Sequence, residues 1–224
     1  MISSDAALPQ KSAYCLSAAL AIFSAVCLQV LGTTHSQPVL GSLSLLPITI
    51  AAALIGLPIS RFLEKRGVSP NGPVHVNAKG TATVMILGGL LALPPIAIDV
   101  TVGFPREMNI PLPAGIFFYP GIAIVAEVVF HLVPLAILAL FVSEPRRTRW
   151  IMWPVVFVEP AFQLVFVSGP LLLSILVLGN VSLVSAVQLW LFRRHGFLAM
   201  IGLRLAFYLF WHILWGFWRL TLLF

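Results

Sequence analysis

Charge is what this chain has least of. Only 9% of its 224 residues are Asp, Glu, Lys or Arg, while 60% are hydrophobic, and a soluble globular domain carries about 25% charged residues. That scarcity excludes an ordinary water-soluble domain, and with it disorder and coiled coil. Cysteine is nearly absent too. Cys15 and Cys27 fall in one predicted helix, about 18 Å apart along its axis, so they cannot bridge each other. The chain lacks a phosphate-cradling glycine loop, a Gly-x-Ser-x-Gly elbow, a His-Glu-x-x-His pair and paired Cys-x-x-Cys motifs. No lysine falls within a predicted span, which removes the Schiff base of a seven-span retinal protein. The N-terminus lacks a small-residue cleavage site after its apolar stretch, so a retained first span is expected.

What is abundant is apolar sequence. Mean hydropathy is +1.04, and uncharged runs of about 20 residues are long enough to cross a hydrocarbon core of roughly 30 Å. The fold class is therefore an all-α, polytopic transmembrane bundle, one integral domain over 1–224. Seven spans are expected: 12–32, 39–60, 80–103, 114–142, 150–168, 171–192 and 197–219. Alternating them across a bilayer puts Lys11, Arg61, Lys65, Arg66, Lys79, Arg146, Arg147, Arg149, Arg193 and Arg194 on one side. Only Arg106 and the tail residue Arg219 fall on the other. Cytoplasmic loops are rich in Lys and Arg, so the N-terminus is expected in the cytoplasm and the C-terminus outside. The net charge of +6 is read as orientation, with the bilayer as partner and no nucleic acid. The loop from Arg61 to Gly80, turned by Pro70, Gly72 and Pro73, is too short to be a soluble domain. Trp150, Trp153 and Trp190 are placed as interfacial anchors. Trp211, Trp215 and Trp218 are placed on one packing or lipid-facing stripe.

Function must then rest on the few polar residues at depth, each costing roughly 2.5–3.5 kcal/mol at a bilayer centre unless it faces the bundle interior. Residues four apart on a helix share a face. That spacing joins Glu127 to His131 in the fourth span and Glu159 to Gln163 in the fifth. In the seventh it joins Arg204 to Tyr208 and Tyr208 to His212. One shared pocket would satisfy all of them. Pro134 and Pro160 each free a carbonyl one turn back, of Phe130 and of Val156. Glu127, His131, Glu159 and His212 make a ligand set that zinc or another divalent ion accepts. The same four could be catalytic, a Glu activating water with His assisting. Alternatively Glu127 or Glu159 pairs with Arg204 in a structural network, Gln163 and Tyr208 included. His35, His75 and His195 are read as solvated loop residues. Asp99 is placed at the outer end of the third span, before a turn whose Arg106 and Glu107 pair locally. Asn180 heads an Asn-x-Ser pattern inside a span, out of reach of glycosylation.

The run LWLFRRHGFLAMIGLRLAFYLFWHILWG (189–216) resembles the last motif region of the CAAX protease and bacteriocin-processing family of intramembrane endopeptidases (type II CAAX prenyl endopeptidases). There a basic, glycine-ended turn leads into a helix with a His and, four residues on, an Asn or Asp. AEVVFH (126–131) resembles the family's first motif, a Glu-Glu pair with an Arg after three more residues. FVEPAFQ (157–163) falls where a Phe with a His four residues on is expected. The likeness covers about 115–216. It departs in that Ala126 stands at the first Glu, His131 at the Arg and Gln163 near the middle His. Arg204 and Tyr208 stand at the last His and its partner, with His212 one turn further.

The resemblance implies a membrane-embedded peptidase or hydrolase in a prokaryotic cytoplasmic membrane, acting on a membrane-associated peptide through Glu127 or Glu159 with His131 and His212. The alternatives are a non-catalytic scaffold or binding protein on the same fold, and a proton- or cation-coupled transporter. The last is disfavoured because no inverted repeat is evident.

Overall fold

The computed structural model describes residues 6–32, 43–142, 150–165 and 171–224. Among these, six helices are long and apolar enough to cross a membrane: α1 (Gln10–Val30), α2 (Leu45–Lys65), α3 (Ala78–Thr101), α4 (Ala114–Leu140), α7 (Leu171–His195) and α8 (Phe197–Leu222). The chain is a multi-pass helical membrane protein. Two short helices, α5 (Met152–Val156) and α6 (Val158–Leu164), stand where the fifth span is expected. The helix breaks there at Phe157, whose N–H bonds to Pro154 three residues back. Pro160 withholds the donor that would have engaged Val156.

Even broken, this segment passes through the bundle. Trp150 and Ile151 line a cleft with Leu138 and Val142 at the end of α4. Leu173, at the start of α7, lines another with Asp99, Phe104 and Leu223 at the opposite end. The expected alternation of ends therefore survives. Residues 166–168 of the expected fifth span, 39–42 of the second, and Arg146, Arg147 and Arg149 lie outside the described residues.

The two ends differ in chemistry. At one, a short antiparallel ribbon that the sequence did not suggest joins β1 (Ala6–Leu8) to β2 (Val74–Val76), so the segment leading into α1 lies beside the loop between α2 and α3. The turn at Gly196 has φ +82°, a left-handed conformation that favours glycine, and its missing Cβ leaves room for the Gln10 amide. Lys11, Arg61, Lys65, Arg66, Lys79, Arg193 and Arg194, all exposed, thus share one end. Asn77 starts α3 there by accepting the Gly80 N–H at 2.7 Å, a side-chain N-cap.

Small residues make up much of the inward face of α1. On α1, Tyr14, Ala18, Ala21, Ala25 and Leu28 are buried at helical spacing, facing α2 and α4. Leu16, Leu20 and Phe23 point outward, more than half exposed. Small residues let backbones approach where lipid removes the hydrophobic force between helices. One close approach is between α3 and α8, where a Cβ on Gly88 would lie 2.5 Å from that of Ala206.

Candidate functional site

Arg204 is the centre of the buried polar cluster. Its guanidinium has five N–H donors, and five contacts account for them. Nε bonds Glu127 Oε1 at 2.5 Å. Nη1 bonds Glu159 Oε1 at 2.8 Å and Tyr208 Oη at 3.1 Å. Nη2 bonds Glu159 Oε2 at 2.6 Å and Gln188 Oε1 at 3.3 Å. The contact with Glu159 is the bidentate fork that matches guanidinium to carboxylate.

The carboxylates are as fully engaged as the arginine. Glu127 Oε1 also takes the Gln188 amide N–H, and Oε2 meets His131 Nδ1 at 2.7 Å. Gln163 reaches Glu159 Oε1 only at 3.5 Å. Glu127, His131 and Gln188 have no exposed surface, and Arg204 and Glu159 have 3% and 5%. Four passages meet at this one point: α4, α6, α7 and α8.

Local backbone explains the placement of Glu127 and His131. Residues Glu127–Leu132 of α4 form a π-helical turn, with the Val133 N–H reaching back to Val128. Pro134 follows and cannot donate, so the widened turn sits where the α-helical ladder is already interrupted. His131 Nε2 is buried and makes no hydrogen bond among the described residues. It is the one atom of the cluster left open.

His212 stands apart. A second π-helical turn, Leu209–Trp215, carries it to an aromatic surround. Its ring stacks on Tyr119 at 4.6 Å and meets Tyr208 edge-on at 5.1 Å, and Nδ1 lies 3.1 Å from Asn109 Oδ1. Of the expected site residues, Glu127, His131, Glu159, Gln163, Arg204 and Tyr208 come together, and His212 joins only through the Tyr208 ring. Among the described residues no group of three His, Cys, Asp or Glu is disposed to hold a metal ion. The four residues of the expected zinc set do not converge on one point: Arg204 bonds both carboxylates, and His212 lies beside Asn109.

Sequence reasoning missed two participants. Gln188 is an amide in an apolar run, and its signal was the one polar side chain level with Glu127 on α7. Arg219 is no tail residue. It is fully buried and spends its five donors on Asp99 Oδ1 and Oδ2, at 2.8 and 2.6 Å, and on the carbonyls of Phe104, Pro105 and Arg106. Trp215 also donates to Asp99, at 2.7 Å. Of the expected tryptophan stripe, Trp211 and Trp215 pack in one apolar cluster, the first buried and the second half-buried, and Trp218 is exposed. Arg106 and Glu107 are exposed, and it is the loop's carbonyls that hold Arg219.

Other residues fall largely where expected. His195 is exposed at the end of α7, His75 is exposed but in β2, and His35 lies outside the described residues. Cys15 and Cys27 are both free, on α1. Compared with protein-family models, curated proteins and solved structures, the chain finds no match.

Proposed function

We propose that this chain is a non-catalytic scaffold or binding protein of a prokaryotic cytoplasmic membrane, with its basic end in the cytoplasm. In this reading the Glu127–Arg204–Glu159 network holds helices in register and does no chemistry. The saturation of Arg204 carries the reading. A Glu that activates water must take up a proton, and here three of the four carboxylate oxygens face the Arg204 cation, which disfavours protonation, while the fourth meets His131.

Removing one member of a buried ion pair costs about 3–5 kcal/mol, whereas replacing the whole set by apolar side chains is often neutral or stabilising. Arg204→Leu should therefore lower unfolding free energy in lipid nanodiscs by at least about 3 kcal/mol. The combined Glu127→Leu/Glu159→Leu/Arg204→Leu chain should recover most of that loss. Purified wild type should leave a reporter membrane peptide intact.

One observation favours a second reading, an intramembrane hydrolase like the family its motifs resemble. Glu127 holds His131 by Nδ1 and leaves Nε2 open, the arrangement of an oriented general base. Processing of the reporter by wild type, lost in both His131→Gln and Glu127→Gln at unchanged stability, would replace the scaffold reading with this one.

A further inference from the structure

The lipid-facing side of α7 carries a feature that the buried network does not use. Leu172, Leu176, Gly179, Leu183, Trp190 and Arg194 follow one another by four, three, four, seven and four residues, which keeps them on a single face of the helix. Leu172, Leu183 and Trp190 are 63%, 49% and 45% exposed. Gly179 is exposed, and a Cβ there would meet nothing within 4 Å, so the stripe has a notch near its middle. From Leu172 to Arg194 it rises about 33 Å, close to the roughly 30 Å of a hydrocarbon core.

The stripe ends in a cationic cap. The Arg194 guanidinium lies 5.0 Å over the Trp190 ring, and the His195 ring meets the same indole edge-on at 6.4 Å. Arg193 is exposed beside them, and Gln10, packed at Gly196, brings exposed Lys11 to the same end.

We propose that this stripe and cap form a binding site for one anionic phospholipid. Its acyl chain lies along Leu176, Gly179 and Leu183, and its phosphate is held by Arg193 and Arg194 at the level of Trp190. An arginine fork takes phosphate oxygens bidentately, and an indole at the interface fixes the depth of the headgroup. A second copy of the chain fits this face less well. Two copies in one membrane share orientation, so a two-fold axis along the membrane normal would set Arg194 against Arg194. The site goes beyond the scaffold reading and is independent of it.

Native mass spectrometry of the full chain, released from micelles holding equal amounts of phosphatidylglycerol and phosphatidylcholine, tests the site. Wild type should retain phosphatidylglycerol in preference, and Arg193→Gln/Arg194→Gln should cut that retention about tenfold. Trp190→Leu should weaken it as well. Lys65→Gln/Arg66→Gln, at the same end on α2, should leave it unchanged. Thermal unfolding of each variant establishes that it is folded. The proposal fails if wild type shows no preference, or if the Lys65/Arg66 variant loses retention equally, since bulk charge would then explain it. It also fails if wild type is a dimer that Gly179→Leu converts to monomer, since the stripe would then be a self-interface.

Discussion

Two arginines on the last helix show how single side chains organise a fold that water does not assemble. Arg204 and Arg219 lie fifteen residues apart on α8, and each spends its five donors on carboxylate, amide, hydroxyl or carbonyl oxygens. Lysine could not replace either, because one ammonium cannot span acceptors spread around a planar fork. For Arg219 the consequence is sharp, since Asp99 is 1% exposed and would be left as a buried carboxylate without a cation, held only by the N–H groups of Trp215 and Phe104. Arg219→Leu should destabilise the protein by about 3–5 kcal/mol, and Arg219→Lys should recover only part of that. Chemical unfolding of the two variants in matched lipid measures the difference, and equal stability of Lys and Arg would contradict the fork. Chelation bears on the other cluster. With Arg204 between Glu127 and Glu159, stripping divalent ions should leave the unfolding midpoint where it was.

At the scale of elements, irregular helix marks the polar positions. The π turns at Glu127–Leu132 and Leu209–Trp215 carry Glu127, His131 and His212. The break at Phe157 sets Glu159 at the head of a new short helix. Pro134 and Pro160 made two of these interruptions foreseeable, because a missing N–H must alter the ladder around it. The second π turn contains no proline, and no residue in it announced the irregularity. The i, i+4 pairing of Glu127 with His131 was readable from spacing alone, and it forms at 2.7 Å. The contact of α3 with α8 rests instead on absence of a side chain. Gly88→Leu should overpack that contact and cost about 1–3 kcal/mol, whereas Gly179→Leu, facing open space, should cost far less. A thermal-shift comparison of the two variants separates packing from helix propensity.

For the whole molecule, six long helices and the α5–α6 segment counted as a seventh passage predict that α1 begins and α8 ends on opposite sides of the bilayer. Cysteines placed at Lys65 and at Leu223, which the α5–α6 segment separates, on a background with Cys15 and Cys27 replaced by Ala, should react with a membrane-impermeant maleimide from opposite faces of oriented vesicles. Labelling of both from one face would mean that the broken α5–α6 segment turns back without crossing. The charge distribution that implies this topology is a property of loops and needs no packing to be read.

Hydropathy and the sidedness of Lys and Arg determined the class, the approximate spans and the sharing of one end by the basic loops, because crossing a bilayer imposes length and polarity on each segment separately. The same locality brought Glu127, His131, Glu159 and Arg204 under suspicion, since each is costly in lipid wherever its partners lie. Which partners they take was decided only by the tertiary structure. Gln188 entering from α7, His212 withdrawing to Tyr119 and Asn109, and Arg219 closing on Asp99 are contacts between residues 61 to 120 positions apart. Such contacts depend on how helices rotate and on where π turns shift register, and no single segment encodes that.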